Sequence, residues 1–176
     1  MKADTFKNSL KKIILPYNIE VEHLKIYLFQ ITAFIFFGFT MEIIFSVTGI
    51  EIALGKKLKK QTPHKYLEGF VSLYMIPIHG LGVTFLYLPM FELISELHII
   101  VRYLIWSISF TGCEIIGGYL YHRIIGFYPW DYYQESKYKI FKNGYSLWTL
   151  IPLWGVAGLI LEKYSSFIIH LSQYIN

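Results

Sequence analysis

The chain has few charged residues and almost no cysteine. Asp, Glu, Lys and Arg make up 16% of its 176 residues, and Cys113 is its single cysteine. One cysteine excludes an intramolecular disulfide framework. The sequence also lacks an HExxH motif, a Cys/His cluster with zinc spacing, a glycine-rich phosphate loop and a serine elbow. We therefore predict no metal site, no cofactor and no nucleotide hydrolysis by this chain alone.

Apolar residues dominate the composition, with 55% hydrophobic and 19% aromatic residues. Four stretches approach the roughly 20 apolar residues that a membrane-spanning helix needs. They are residues 26–47, 69–91, 103–121 and 144–161. None alternates strictly between apolar and polar residues, so helices are expected rather than barrel strands. The sequence predicts an all-α, multi-pass integral membrane protein with a bundle of four transmembrane helices. In a bacterium its location would be the cytoplasmic membrane.

The predicted domain organisation is simple. Residues 1–25 form a basic leader, and residues 26–171 form a single four-helix transmembrane domain. Lysines in the leader precede only a short apolar run, so it is not a signal peptide, and we expect it to lie along the membrane surface. The lysine run at residues 56–60 lies beside a predicted span. It is expected to anchor the topology or contact anionic lipid, and no nucleic acid partner is predicted.

The two halves of the chain share a pattern. Each half has a span that contains a glutamate, within FTMEII or FTGCEII, followed by a span with a Pro-x-x-Gly motif. Glu42 lies 35 residues before Pro77, and Glu114 lies 38 residues before Pro152. This order indicates two tandem helical hairpins, a parallel repeat with a pseudo-twofold axis along the membrane normal. The alternative is coincidence between two Ile- and Phe-rich sequences.

The two glutamates are the first candidates for a functional site. An ionised carboxylate within the hydrocarbon costs roughly 2.5–3.5 kcal/mol, so it normally faces the bundle interior and has a role. The alternative is a protonated or paired glutamate that only ties helices together. A proline inside a helix would free a carbonyl about one turn earlier, and a glycine lets a neighbouring helix or ligand approach. The predicted helix-break positions are Pro77, Gly80, Pro152 and Gly155.

The segment YHRIIGFYPWDYYQ…FKNGYSLWTLIPLWGVAGLILE resembles the transmembrane-protein-229 family. The same segment resembles the bacterial relatives of that family, the CmpB-like membrane proteins labelled ABC-transporter type IV. The resemblance covers roughly residues 30–163, and its specific part is Pro129–Tyr132. His79 and Tyr133 depart from the family pattern, which has tyrosine and serine at these places. The label implies a permease subunit with a separate ATPase, but the family implies no settled activity.

These observations predict a pocket. Glu42, Glu114 and the backbone freed by the prolines would form its floor, and Arg123 and Asp131 its mouth. Trp130 would anchor the loop at the membrane interface. His79 is either a site residue or a hydrogen-bonded helix contact. Asp131 is either a ligand-binding residue or a turn former. The candidate ligand-binding residues are Glu42, His79, Glu114, Arg123, Trp130, Asp131 and Asn143.

Three classes of function are compatible with such a pocket. The leading prediction is transport or lipid handling, with the bilayer and a lipid-like ligand as partners and with a homo-oligomer or a separate ATPase subunit as further partners. The second class is a membrane-embedded enzyme that uses carboxylates as acid and base on a lipid or isoprenoid. The third is a structural or regulatory subunit of a membrane complex.

Overall fold

The computed structural model describes residues 2–58 and 67–175, and within the first range it describes side chains from residue 23 onward. The chain is mostly helical, with a hairpin of two very short strands. The long helices are α1 (Lys2–Thr48), a helix over Leu73–Ile94, α4 (Ile99–Ile125) and α5 (Ile151–Ser172). The predicted all-α fold is therefore confirmed. The side chains of most of the predicted basic leader, and Lys59 and Lys60, lie outside the described residues.

Three helices are long and apolar enough to cross a membrane. They are His23–Thr48 within α1, Leu73–Ile94 and α4. Their outer surfaces expose large apolar side chains, for example Phe36 at 68% and Ile108 at 72%. Extensive apolar exposure is unfavourable in water, whereas lipid chains solvate such surfaces well. The membrane character that the composition predicts is supported by these three helices.

The helix over Leu73–Ile94 changes its winding along its length. It begins with the 3-10 turn Leu73–Met75, continues as the π-helix Ile78–Tyr87 and ends as α3 (Leu88–Ile94). Pro77 lies in its first turns, directly before the π-helical part. Pro152 similarly lies at the beginning of α5. At the beginning of α5, Pro152 removes no intrahelical hydrogen bond, because donors in the first turn of a helix have no intrahelical partner. Pro77 lies beyond the first turn of its helix, at the change to the π-helical part.

The fourth predicted stretch begins at a different place. Residues 144–161 were expected to be one helix, but Gly144 has a φ of +65° and a strand and a 3-10 turn follow it. The helix α5 begins only at Ile151 and continues to Ser172. A left-handed glycine ends regular structure, and a proline at the second position of a helix fixes its start. Both effects shift α5 toward the C-terminus.

The two loops at one end of the bundle pack together as a unit, the loop cap. It contains α2 (Ile50–Leu54), the 3-10 helix Asp131–Glu135 and the antiparallel strands β1 (Lys139–Ile140) and β2 (Ser146–Leu147). Ser136 Oγ donates to the Leu54 carbonyl at 2.9 Å, and Thr149 Oγ1 donates to the Ala53 carbonyl at 2.7 Å. These bonds join the loop between the first two long helices to the loop between α4 and α5.

The loop cap has its own hydrophobic core. Its buried residues are Ile50, Ala53, Leu54, Tyr128, Trp130, Tyr133, Tyr145, Leu147 and Leu150. Trp130 is only 6% exposed, and its Nε1 donates to the Tyr145 carbonyl at 2.8 Å. Trp130, which was predicted as an interfacial anchor, is therefore a core residue of the cap. A buried indole needs a partner for its N–H, and the Tyr145 carbonyl supplies it.

A second core lies between the helices. Its buried residues are Phe34, Tyr87, Leu88, Ile94, Trp106, Leu161 and Ile168. The rings of Tyr87 and Trp106 stack with centroids 4.4 Å apart, and Tyr87 Oη donates to the Gly158 carbonyl at 3.0 Å. On the other side, Phe37 stacks on Tyr164 at 4.2 Å. Aromatic contacts thus hold the first two long helices against α4 and α5.

Candidate functional site

Glu42 and His79 form a hydrogen-bonded pair between α1 and the π-helix. Glu42 Oε1 and His79 Nε2 are 2.6 Å apart, and the two side chains are 28% and 17% exposed. The close approach depends on Gly38, one turn before Glu42, because a Cβ at that position would overlap the His79 ring. His79 lies at the start of the π-helix, where Pro77 precedes it. The structure therefore joins two of the predicted site residues directly.

Glu114 lies in a denser set of hydrogen bonds on α4. Its Oε2 accepts from Ser146 Oγ at 2.5 Å and from Trp154 Nε1 at 3.0 Å. The Tyr133 side chain is a third hydrogen-bonding neighbour of the carboxyl group. These donors come from the loop cap and from the first turn of α5. A carboxyl group with several fixed donors has most of its acceptor capacity occupied.

The two glutamates have partners at equivalent places in the sequence pattern. His79 and Trp154 both lie two residues after the proline and directly before the glycine of their Pro-x-x-Gly motifs. Each donates or shares a hydrogen bond with the glutamate of its own half. His79 therefore occupies a position whose counterpart in the other half is also a hydrogen-bonding aromatic residue.

The glycines of the two motifs also make equivalent helix contacts. A Cβ at Gly80 would lie 3.0 Å from the Ile35 side chain, and a Cβ at Gly155 would overlap the Ser107 hydroxyl. Ile35 and Ser107 each lie seven residues before the glutamate of the same half. Small residues at such contacts let helix backbones approach closely. Both glycines thus serve helix packing, one of the two roles that the sequence suggests for them.

Tyr132 lies near both glutamates, and Tyr133 lies near Glu114. Burial raises the pKa of the Tyr132 hydroxyl, and the negative charges of Glu42 and Glu114 raise it further. Burial and then the charge of Glu114 raise the pKa of Tyr133. A hydroxyl whose pKa is raised by the charges of both carboxylates must lie near both of them. The predicted pocket floor therefore has tyrosines beside its carboxylates, which the sequence interpretation treated only as interfacial residues.

Arg123 and Asp131 do not form the predicted mouth together. In the described part of the chain no ion pair joins them, and both residues are exposed. Asp131 begins the short helix Asp131–Glu135, where a negative charge complements the helix dipole. Arg123 follows Glu114 by nine residues, which corresponds to the opposite side of α4. The turn-forming interpretation of Asp131 describes its local structure.

Asn143 belongs to the loop cap. Its carbonyl accepts from Tyr128 Oη at 2.5 Å, and its Nδ2 donates to Tyr145 Oη at 3.1 Å. Burial is the main cause that raises the pKa of Tyr128 to about 12. Asn143 is thus bonded to two tyrosines and supports the position of Gly144, whose φ is positive. Its contacts are with the cap and not with Glu42 or Glu114.

The sequence interpretation missed a buried ion pair at the other end of the bundle. Glu162 is 4% exposed and accepts from Trp106 Nε1 at 2.7 Å. Its carboxylate also lies 3.3 Å from Arg102 Nε, while Arg102 Nη1 donates to the Ser95 carbonyl at 2.6 Å. The fourth stretch was predicted to end at residue 161, so Glu162 was assigned to its edge. With α5 running from Ile151 to Ser172, this glutamate lies in the middle of a helix.

The residues that the structure describes contain no group of three His, Cys, Asp or Glu side chains that could hold a metal ion.

The chain matches no protein-family model, no curated protein and no solved structure. The class that the fold and the site define is a helical protein with three helices able to cross a membrane. In this protein, the hydrogen-bonded pair of Glu42 and His79 lies below the folded loop cap. The second carboxylate, Glu114, lies there too, with the Tyr133 side chain as a hydrogen-bonding neighbour.

Proposed function

We propose that this protein is a four-span integral membrane protein of two tandem hairpins that handles lipid-like molecules. In this proposal, the Glu42–His79 pair binds the polar head group. We also propose that the chain is related to the transmembrane-protein-229 family and its CmpB-like relatives. The observation that supports this proposal best is that Glu42 and His79 are bonded to each other and still partly exposed, on two helices that are able to cross a membrane.

The equivalent contacts of the two halves favour the tandem hairpins. In both halves, the glutamate is hydrogen-bonded to the residue before the motif glycine. In both halves, the motif glycine also packs against the residue that lies seven positions before that glutamate. As the fourth span, α5 has 22 residues, or roughly 33 Å at 1.5 Å per residue, enough for a hydrocarbon core of roughly 30 Å.

The two glutamates have different roles in this proposal. Glu114 accepts from Ser146 and Trp154 and lies beside Tyr133, so little acceptor capacity remains for a ligand. Its role is to join the loop cap to α4 and α5. Glu42 has His79 as its hydrogen-bond partner and exposes 28% of its side chain. An exposed carboxylate in an apolar setting strongly favours a donor-bearing or cationic group.

The head group that best suits Glu42 carries N–H donors. A phosphatidylethanolamine head has an ammonium group that can donate to a carboxylate, whereas phosphatidylcholine has a quaternary ammonium without N–H donors. Exposed apolar side chains beside the pair would contact the acyl chains. The proposal therefore predicts preference for phosphatidylethanolamine over phosphatidylcholine, in binding or in movement between leaflets.

The test uses the full chain reconstituted in vesicles with fluorescently labelled phosphatidylethanolamine or phosphatidylcholine. Transfer between leaflets is measured by chemical quenching of the outer label. E42Q removes the charge but keeps the shape, and we expect about tenfold less phosphatidylethanolamine binding or transfer, the usual order for a charge-assisted hydrogen bond. E92Q, at an exposed glutamate of the Leu73–Ile94 helix, is the matched control and should behave as wild type.

Two results would contradict lipid handling by this pair. One is equal behaviour of E42Q and wild type toward both lipids. The other is equal loss in E42Q and E92Q, which would indicate a nonspecific effect of charge. Activity that appears only with added ATP and a second protein would instead support the permease interpretation.

An enzymatic role has one specific observation in its favour. The 2.6 Å bond between Glu42 and His79 is the geometry in which a carboxylate orients a histidine for proton transfer. An enzyme would change its lipid covalently. Mass spectrometry of lipids incubated with the wild type and with H79N separates the two functions, because a handling protein leaves every lipid mass unchanged.

A further inference from the structure

We infer that a cavity at the end of α4 binds the anionic head group of a membrane lipid, independently of the Glu42–His79 pair. The cavity has a volume of about 210 Å³ and is lined by Tyr119, His122, Arg123 and Tyr145. A phosphate group is small enough for a space of this size.

Arg123 supplies the positive charge of this site. Its guanidinium is exposed, and no carboxylate in the described part of the chain lies within ion-pair distance of it. A guanidinium presents donors in a planar fork that matches two oxygens of a phosphate. Because no acceptor among the described residues bonds this fork, an anionic ligand would be its principal partner.

The neighbouring hydrogen bonds orient His122 as a second donor. Asn143 Nδ2 donates to Tyr145 Oη at 3.1 Å, and Tyr145 Oη lies 2.9 Å from His122 Nδ1. With the tyrosine oxygen already accepting from Asn143, its proton is best placed to donate to Nδ1. This arrangement favours the histidine tautomer with its hydrogen on Nε2, where it remains a donor.

The depth of the cavity suits a lipid head group. His122 and Arg123 lie in the last turn of α4, one of the three helices able to cross a membrane. The end of a spanning helix lies near the level of the head groups. Along the last third of α4, Ile116, Leu120 and Ile124 follow one another at four-residue spacing, and all three are exposed. This apolar line offers a surface for the acyl chains of a lipid whose phosphate binds Arg123.

The helix dipole does not prevent anion binding here. The C-terminus of a helix carries an effective charge of about −0.5, which opposes an anion. One terminal carbonyl, that of His122, already accepts from Gly126 N at 3.1 Å. The full positive charge of Arg123 exceeds the remaining dipole effect, so the local field favours a phosphate.

The test measures lipid binding to the purified full chain in a nonionic detergent by native mass spectrometry. The probes are dioleoylphosphatidylglycerol, dioleoylphosphatidylcholine and inorganic phosphate. We expect R123Q to bind phosphatidylglycerol about tenfold more weakly than wild type, and R123K to recover part of this loss. The matched control is K142Q, which removes an exposed cation from the same end of the molecule and should bind as wild type.

Three outcomes would overturn the inference. Unchanged phosphatidylglycerol binding by R123Q would exclude the site. An equal loss in K142Q would show diffuse attraction by the basic surface in place of a defined site. Displacement of phosphatidylglycerol by millimolar inorganic phosphate would identify free phosphate as the ligand and refute the lipid. Because Arg123 is exposed, all variants should fold, which size-exclusion profiles check. E42Q should retain phosphatidylglycerol binding, so this test is separate from that of the proposed function.

Discussion

The Arg102–Glu162 pair gives the sharpest prediction about stability. Glu162 is 4% exposed and accepts from Trp106 Nε1, while Arg102 lies 3.3 Å away with a side chain that is 20% exposed. Substituting Arg102 by Met removes the cation but keeps most of its volume. The carboxylate is then buried with only one neutral donor. Removal of one partner of a buried ion pair costs about 3–5 kcal/mol, and we expect a loss of this size for R102M.

The companion variant E162Q should cost much less. The glutamine carbonyl can still accept from Trp106 Nε1, and Arg102 Nη1 keeps its bond to the Ser95 carbonyl at 2.6 Å. We expect a loss of about 1 kcal/mol, the usual net value of one hydrogen bond. The double variant R102M/E162L contains no unpaired charge and should therefore be more stable than R102M alone.

Reversible unfolding in mixed micelles measures the three free energies of unfolding, and together with an E162L single variant it completes a double-mutant cycle. The expected coupling between positions 102 and 162 is about 2 kcal/mol or more, within the range seen for contacting residues. Equal losses for R102M and E162Q, or a double variant less stable than R102M, would refute the interpretation of a buried charge that depends on Arg102.

Two further pairs of substitutions test the helix contact and the loop cap by the same unfolding measurement. G38A should lose about 1–3 kcal/mol because its Cβ overlaps His79, whereas G112A should be neutral or slightly stabilising because no atom lies within 4 Å of its Cβ. Equal effects would contradict the close approach at Gly38. W130F should lose about 1–3 kcal/mol of unfolding free energy, because it lacks the hydrogen bond from Trp130 to the Tyr145 carbonyl. W148F, at a residue that is 64% exposed, should lose less than about 0.5 kcal/mol. A larger loss in W148F would contradict the buried position of Trp130.

The helices could be predicted because the apolar run that favours each of them lies within one segment of the chain. Runs of about 20 apolar residues are solvated well by lipid only when the backbone satisfies its own hydrogen bonds, and the helix does this within one segment. The glutamates were recognisable for a related reason, since a charge among apolar residues is costly wherever the chain folds.

The starts of the helices were harder to predict. Apolar content extends through residues 144–150, but the left-handed Gly144 and the pairing of Ser146 with Ile140 make this segment part of the loop cap. Pro152 was expected inside a helix for the same reason, whereas it lies at the start of α5. A proline in a long apolar run has the same composition whether it interrupts a helix or begins one, and only the backbone before it distinguishes the two.

By itself the sequence determined that this protein is helical, that its helices suit a membrane and that Glu42 and Glu114 are exceptional, because each follows from the composition of one segment. Only the tertiary structure decided which donors these carboxylates meet. His79 reaches Glu42 because Gly38 leaves room for its ring, and Tyr132 lies near both carboxylates because the loop cap folds over them. Glu162 became a buried residue because Trp106 and Arg102 of another helix face it. Such contacts join residues distant in the chain, so they depend on packing that no local pattern records.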